Sequence, residues 1–255
     1  MKRFLTLWKQ QIWIMFISPS TYISAFLFLS FAGAMFLLSL AEVSRMSSDT
    51  SPMENFLSVF WIPVLFMVPL LTMRSLAEER RAGTLETLMT TSVSAWQIVL
   101  SKFLAAYFFY ALLWALTIVF PIVTKFYAPQ FSADPRMFSV VQTATGYGFV
   151  MLSGAMYVAV GIFSSALTRT TIVAAMLSFC LLFLIVVGAG LVAKFPIAEA
   201  GGGALISSVA DYIQTFRHFE DFSASVIDTR PFFFYISTTL VLLTVTSLVT
   251  EAKNT

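Results

Sequence analysis

Residues able to do chemistry are scarce in this chain, and most of them stand together. The stretch Glu78-Glu79-Arg80-Arg81-Ala82-Gly83-Thr84-Leu85-Glu86-Thr87-Leu88 gathers acids and bases that are thinly spread elsewhere. Charge at that density either recognises a partner surface or is a solvated connector, and the spacing leaves both readings open. Other chemistry has little to work with. Cys180 is the only cysteine and His218 the only histidine. Cysteine metal clusters, intrachain disulfides, histidine-rich metal sites and catalytic histidine pairs are thereby excluded. An intramembrane protease needs a Ser–His or Asp pair at membrane depth, whereas His218 falls in a polar outer segment. No Gly-x-x-x-x-Gly-Lys-Ser/Thr loop is present: Gly201-Gly202-Gly203 runs into Ala204-Leu205-Ile206, with no lysine to reach a phosphate. The chain is expected to be no enzyme, with no catalytic residue, metal or cofactor of its own.

The elements that must position these residues are apolar. Of 255 residues, 58% are hydrophobic and 11% charged, against about 25% charged in a soluble domain. Six apolar runs, 22–40, 56–73, 103–124, 138–167, 171–193 and 232–249, approach or exceed the ~20 residues a helix needs to cross a bilayer. Alternating polarity is absent, so the expected fold is an all-α integral membrane protein, one domain over 1–255 with six spans. Almost no ionisable residue falls within the spans, which favours an external energy source over proton or ion coupling. The net charge of +2 marks out no nucleic-acid partner.

With the N-terminus in the cytoplasm, nine of the 15 lysines and arginines lie inside and nine of the 13 acids outside, as the positive-inside rule requires. Both termini are then cytoplasmic. Residues 1–18 place Phe4, Trp8, Ile12 and Met15 at helical spacing, which predicts an amphipathic helix in the inner interface, ended by Ser18-Pro19-Ser20. A cytoplasmic extension of the first span is the alternative. The pattern does not fit a cleavable signal peptide, because Met35 to Leu40 continue apolar after Ala32-Gly33-Ala34.

Residues 74–102 form the charged connection. The second span is expected to run on as a helix through Arg74 to Arg81 and to end at Gly83, a residue suited to a left-handed cap. Thr84 can cap a short helix over 85–90, with Glu86 in its first turn and Leu85, Leu88 and Met89 on one edge. Ser94 with Gln97 fits a capping box that starts the third span, and Trp96 and Lys102 mark the headgroup level. The outer segment 194–231 carries Tyr212, Phe216 and Phe219 on one helical face, read as a short amphipathic or re-entrant helix. Pro63, Pro69 and Pro121 suggest kinks. In the fourth span Gly154 and Gly161 recur after seven residues, and packing within the subunit is the favoured reading over a substrate path.

The segment Pro69, Thr72, Met73, Arg74, Glu78, Glu79, Arg80, Gly83, Thr84, Leu85, Glu86, Leu88 and Lys102 resembles the signature region of ABC-type exporter permeases of the type 2 family. Within it the chain is most similar to the GldF-type, gliding-motility-like subgroup, whose outer segment resembles His218-Phe219-Glu220-Asp221-Phe222 followed by Val226-Ile227-Asp228. The resemblance covers essentially the whole chain. One departure is Ser92, near which family members often carry proline. The resemblance implies a permease subunit in the inner membrane of a bacterium, paired with a second copy or a paralogue. It also implies a separate cytoplasmic ABC ATPase dimer that holds ATP and Mg. Glu78, Glu79, Arg80, Arg81, Gly83, Thr84, Leu85, Glu86 and Leu88 would contact that ATPase. A non-transporting membrane scaffold is the rival reading.

Overall fold

The structure, a computed structural model, describes residues 2–45, 51–85, 94–131, 139–188, 190, 215–223 and 229–252. Helix α1 (Lys2–Ile17) is separated from α2 (Pro19–Arg45) at Ser18. Pro19 occupies the first position of α2, where its missing N–H is not needed. The corner is held by the Tyr22 hydroxyl, which donates to Phe16 O at 2.7 Å, and by a 2.8 Å bond between Ser18 and Ser20. Six stretches are long and apolar enough to cross a membrane, as expected: Pro19–Glu42, Trp61–Arg81, Ala95–Phe126, Val140–Leu167, Thr171–Gly188 and Thr229–Ala252.

Two of the spans are broken. The second opens with α4 (Trp61–Thr72), which follows α3 (Pro52–Ser58) across a break, and the third is α6 (Ala95–Leu116) and α7 (Val119–Phe131). Pro63 and Pro121 each lie in the first turn after such a break, where proline costs no helical hydrogen bond. Pro69 sits inside its helix. The fourth span is α8 (Val140–Leu167), capped by Ser139. The fifth is α9 (Thr171–Phe183), continued by a π-turn over Leu184–Gly188, and the last is α11 (Thr229–Ala252). Between them, α10 (Thr215–Ser223) buries Phe219 and Phe222 against Phe149, with Phe60 also touching Phe219.

The fourth span is the hub: α8 packs on α3, α4, α6, α9, α10 and α11. Its glycines explain how. A Cβ on Gly146 would fall 2.7 Å from Leu57, on Gly154 2.2 Å from the Tyr110 ring, and on Gly161 2.3 Å from the Thr72 hydroxyl. Packing within the subunit is therefore what these glycines serve, because small residues let helices approach where lipid offers no hydrophobic drive. Tyr107 and Tyr110 of α6 use that closeness to donate to Met151 O and Val150 O of α8, both at 3.0 Å. Within the helices, Thr72, Ser153, Ser164, Thr239 and Thr250 return their hydroxyls to the carbonyl four residues back, as a dry surrounding requires.

The face of α1 that carries Phe4, Trp8, Ile12 and Met15 is partly buried and turned toward α6; Phe16 packs on Phe109 at 4.7 Å. The exposed apolar side chains of α1 are instead Leu5, Trp13, Ile14, Phe16 and Ile17. The stripe at helical spacing is thus partly covered by the third span, as an apolar helix face needs a partner surface.

Candidate functional site

Charged side chains converge where the second, third and fourth spans meet. The second span does not run through as one helix: α4 ends at Thr72, residues 73–76 turn, and α5 spans Ala77–Arg81. The cause lies on α8. Ser165 Oγ accepts from the Leu76 and Ala77 N–H groups at 3.0 Å each and donates to Met73 O at 3.2 Å. An outside hydroxyl thus replaces the bonds a continuous helix would make. Gly83 ends this region at φ 70°, the left-handed conformation that glycine adopts without strain. Thr84 Oγ1 donates back to Glu79 O at 3.3 Å.

Of the residues expected to meet a partner, the structure divides those it describes into two sets. Glu79 and Arg80 turn inward. The Glu79 carboxylate lies 2.7 Å from Lys102 Nζ of α6, whose side chain is 3% exposed. Lys102 also donates to Gln11 Oε1 of α1 at 3.4 Å, so one ammonium joins three elements. Arg80 Nη1 donates to Ala166 O of α8. A second carboxylate oxygen of Glu79 and two guanidinium nitrogens of Arg80 are buried without a hydrogen-bond partner. Leu85 is buried as well. Facing outward are Glu78, which pairs with Arg74 at 3.6 Å with both side chains nearly half exposed, and Arg81, Gly83 and Thr84. Exposed i,i+4 pairs such as Arg74–Glu78 contribute only ~0.3–0.5 kcal/mol. Glu86, Leu88 and the short helix expected after Leu85 fall outside the described residues, apart from its first turn at Thr84 and Leu85. The third span starts as its sequence requires: Ser94 Oγ accepts from Gln97 N at 3.4 Å.

Gly83 has open space around its α-carbon, so only backbone strain opposes a larger residue. Gly83→Val is expected to cost about 1–2 kcal/mol locally and Gly83→Asn clearly less. Protease sensitivity near Arg81 in reconstituted protein should rank the variants in that order, and equal sensitivity would remove the cap assignment.

Two structural residues went unmarked as partners in the sequence. Lys102 reads as a headgroup marker, and Ser165 carries no mark beyond its place in an apolar run. The one legible hint was a lysine preceding an otherwise apolar run. At the other end of the bundle His218 Nδ1 lies 3.5 Å from the Tyr235 hydroxyl, and the Tyr157 hydroxyl 3.5 Å from Thr215 Oγ1. Among the described residues no three metal-ligating side chains converge.

Comparison with known proteins bears on what this arrangement belongs to. No curated protein matches the chain. Residues 38–252 match the family described as ABC-2 family transporter protein. That stretch takes in the last five of the six spans whole, only the end of the first, and the braced charged segment between the second and third. The chain is therefore a member of the ABC-2 transporter family.

Proposed function

We propose that this chain is the permease subunit of an ATP-driven exporter of type 2, closest to the GldF-type subgroup. ATP and Mg are held by a separate cytoplasmic ATPase dimer, and the chain pairs with a second permease copy or a paralogue. It lies in the inner membrane of a bacterium with both termini and the charged segment in the cytoplasm. The observation that carries this reading is the mounting of α5. An ATPase can move spans only through a stiff contact, and α5 is bound to α8 by Ser165 and Arg80 and to α6 by Glu79. A solvated connector would have no need of three such anchors. The outward set, Glu78, Arg81, Gly83 and Thr84, is left for the partner, together with Glu86 and Leu88.

Two experiments test this. Glu78→Lys combined with Arg81→Glu changes one exposed side chain and one nearly half exposed on a weak pair, so the stability change should be about 0.5 kcal/mol. Recovery of the ATPase in pull-downs should nevertheless fall several-fold, since repulsion replaces attraction at the contact. Undiminished recovery, with normal ATP turnover in the complex, would remove this segment from the coupling contact and favour a scaffold. Topology is tested with an impermeant thiol reagent in a Cys180→Ser background. Ser48→Cys and Ser223→Cys should label from outside and Ser75→Cys should not; the inverse pattern overturns the orientation.

A further inference from the structure

We infer that Ser165 is a positioning residue for the coupling contact: its hydroxyl fastens α5 to the fourth span, so that α5 moves with α8 and not with the second span that leads into it. This rests on the coupling role proposed above.

The N–H groups at the start of any helix have no partner within it. In α5 the residue at the cap position is Leu76, which has no side-chain acceptor. The residue that supplies one is 89 positions away. Ser165 accepts from both Leu76 N and Ala77 N and donates to Met73 O, so the same oxygen holds both banks of the break between α4 and α5. A serine hydroxyl has one proton and two lone pairs, and all three are in use. The residue is fully buried, which strengthens each bond by excluding water. The next residue continues the attachment, since Ala166 O receives Arg80 Nη1 from the far end of α5. Two consecutive residues in the last turn of α8 therefore hold α5 near both of its ends. Across the break itself the second span offers the turn at 73–76, in which Ser75 N donates to Thr72 O at 3.0 Å, and the weak, half-exposed Arg74–Glu78 pair. A four-residue turn is a natural hinge. With Ser165 in place the stiff attachment runs to α8, the hub that touches most of the bundle. A push on α5 is then delivered to the fourth span and its neighbours.

The test places nitroxide labels at Arg81→Cys and Val140→Cys in a Cys180→Ser background. Both sites are exposed; Val140 starts α8 and Arg81 ends α5, which is held at the other end of α8, so the separation is roughly 40 Å by the rise of α8 per residue. In the full-length permease alone, in lipid nanodiscs, the distance distribution is expected to be a single narrow peak. Ser165→Ala should lose that peak and broaden, whereas Ser165→Thr, which keeps the hydroxyl, should retain more of it. A serine that served only folding would lower the yield and leave the distribution of the folded fraction narrow. If Ser165→Ala does not accumulate, Ser165→Gly, which also lacks the hydroxyl, carries the same readout. A distribution as narrow in these variants as in the unsubstituted chain overturns the latch, whatever the segment does with an ATPase. In the complex trapped with Mg-ATP and vanadate, the Arg81–Val140 distance should stay where it was without nucleotide, and a shift there overturns the claim that α5 travels with α8. Failure of the coupling reading itself shows differently, as an ATPase that does not bind the unsubstituted chain while the permease-alone result stands.

Discussion

Lys102→Ala is expected to lower the unfolding free energy by about 3 kcal/mol, the low end of what breaking a buried ion pair costs. Lys102 is 3% exposed and Glu79 21%, so the abandoned carboxylate can recover part of its hydration but not all of it. Its other oxygen already lacks a hydrogen-bond partner, and the loss of Lys102 would leave both unsatisfied. Gln11 would lose its donor too, loosening α1 from α6. Lys102→Met combined with Glu79→Gln removes both charges and keeps the volume, and it should recover much of the loss. Thermal unfolding of the purified protein in detergent checks this. If Lys102→Ala unfolds at the unsubstituted temperature, the pair does not stabilise the fold. If the double variant is as unstable as the single, packing and not charge is the cause.

A comparable loss is expected at the centre of the bundle. Gly154→Ala would set a methyl 2.2 Å from Tyr110 Cε1 and 2.6 Å from its hydroxyl. Tyr110 cannot step aside cheaply. It is fully buried, stacks on Tyr107 at 6.1 Å between centroids, and donates to Val150 O. Overpacking costs ~1–3 kcal/mol, and forfeiting the hydrogen bond adds about 1 kcal/mol, so about 3 kcal/mol is expected in total. The control lies on the same helix. Gly148 is exposed with nothing within 4 Å of a new Cβ, and Gly148→Ala should be neutral or slightly stabilising through helix propensity. Equal unfolding temperatures for the two variants would refute the close approach of α6 and α8.

Much of the fold was readable from residue order because its causes are local. A run of about 20 apolar residues has no alternative to a helix in lipid, and all six runs appear as helical spans. Ser94 and Gln97 are three residues apart, so the start of the third span was legible from their types. Gly83 was legible for a similar reason, since its left-handed turn is a property of one residue. The prolines misled in part. Pro63 and Pro121 follow breaks at 59–60 and 117–118 and lie in the turn where proline is tolerated, so the bend sits ahead of the proline.

The charged segment was legible as a place but not as a mechanism. Its composition showed that something other than lipid must receive it. Which of its charges face inward depends on residues far along the chain. Glu79 meets Lys102 and, through it, Gln11, which is 91 positions from Lys102; Arg80 meets a carbonyl 86 positions away. Charge and spacing make Glu78 and Glu79 look alike, yet one is nearly half exposed on a weak pair and the other is sunk against a buried lysine. Ser165 gave no sign at all, because a serine in an apolar helix ordinarily bonds its own backbone. By itself, then, the residue order determined that this is a six-span helical membrane protein with one charged, capped insertion. Only the tertiary structure decided that α5 is broken from the second span and held by the third and fourth. Helix and span formation are set within a few residues, whereas the partner of a buried charge or of an uncapped N–H is whichever group the packing brings within 3 Å or so.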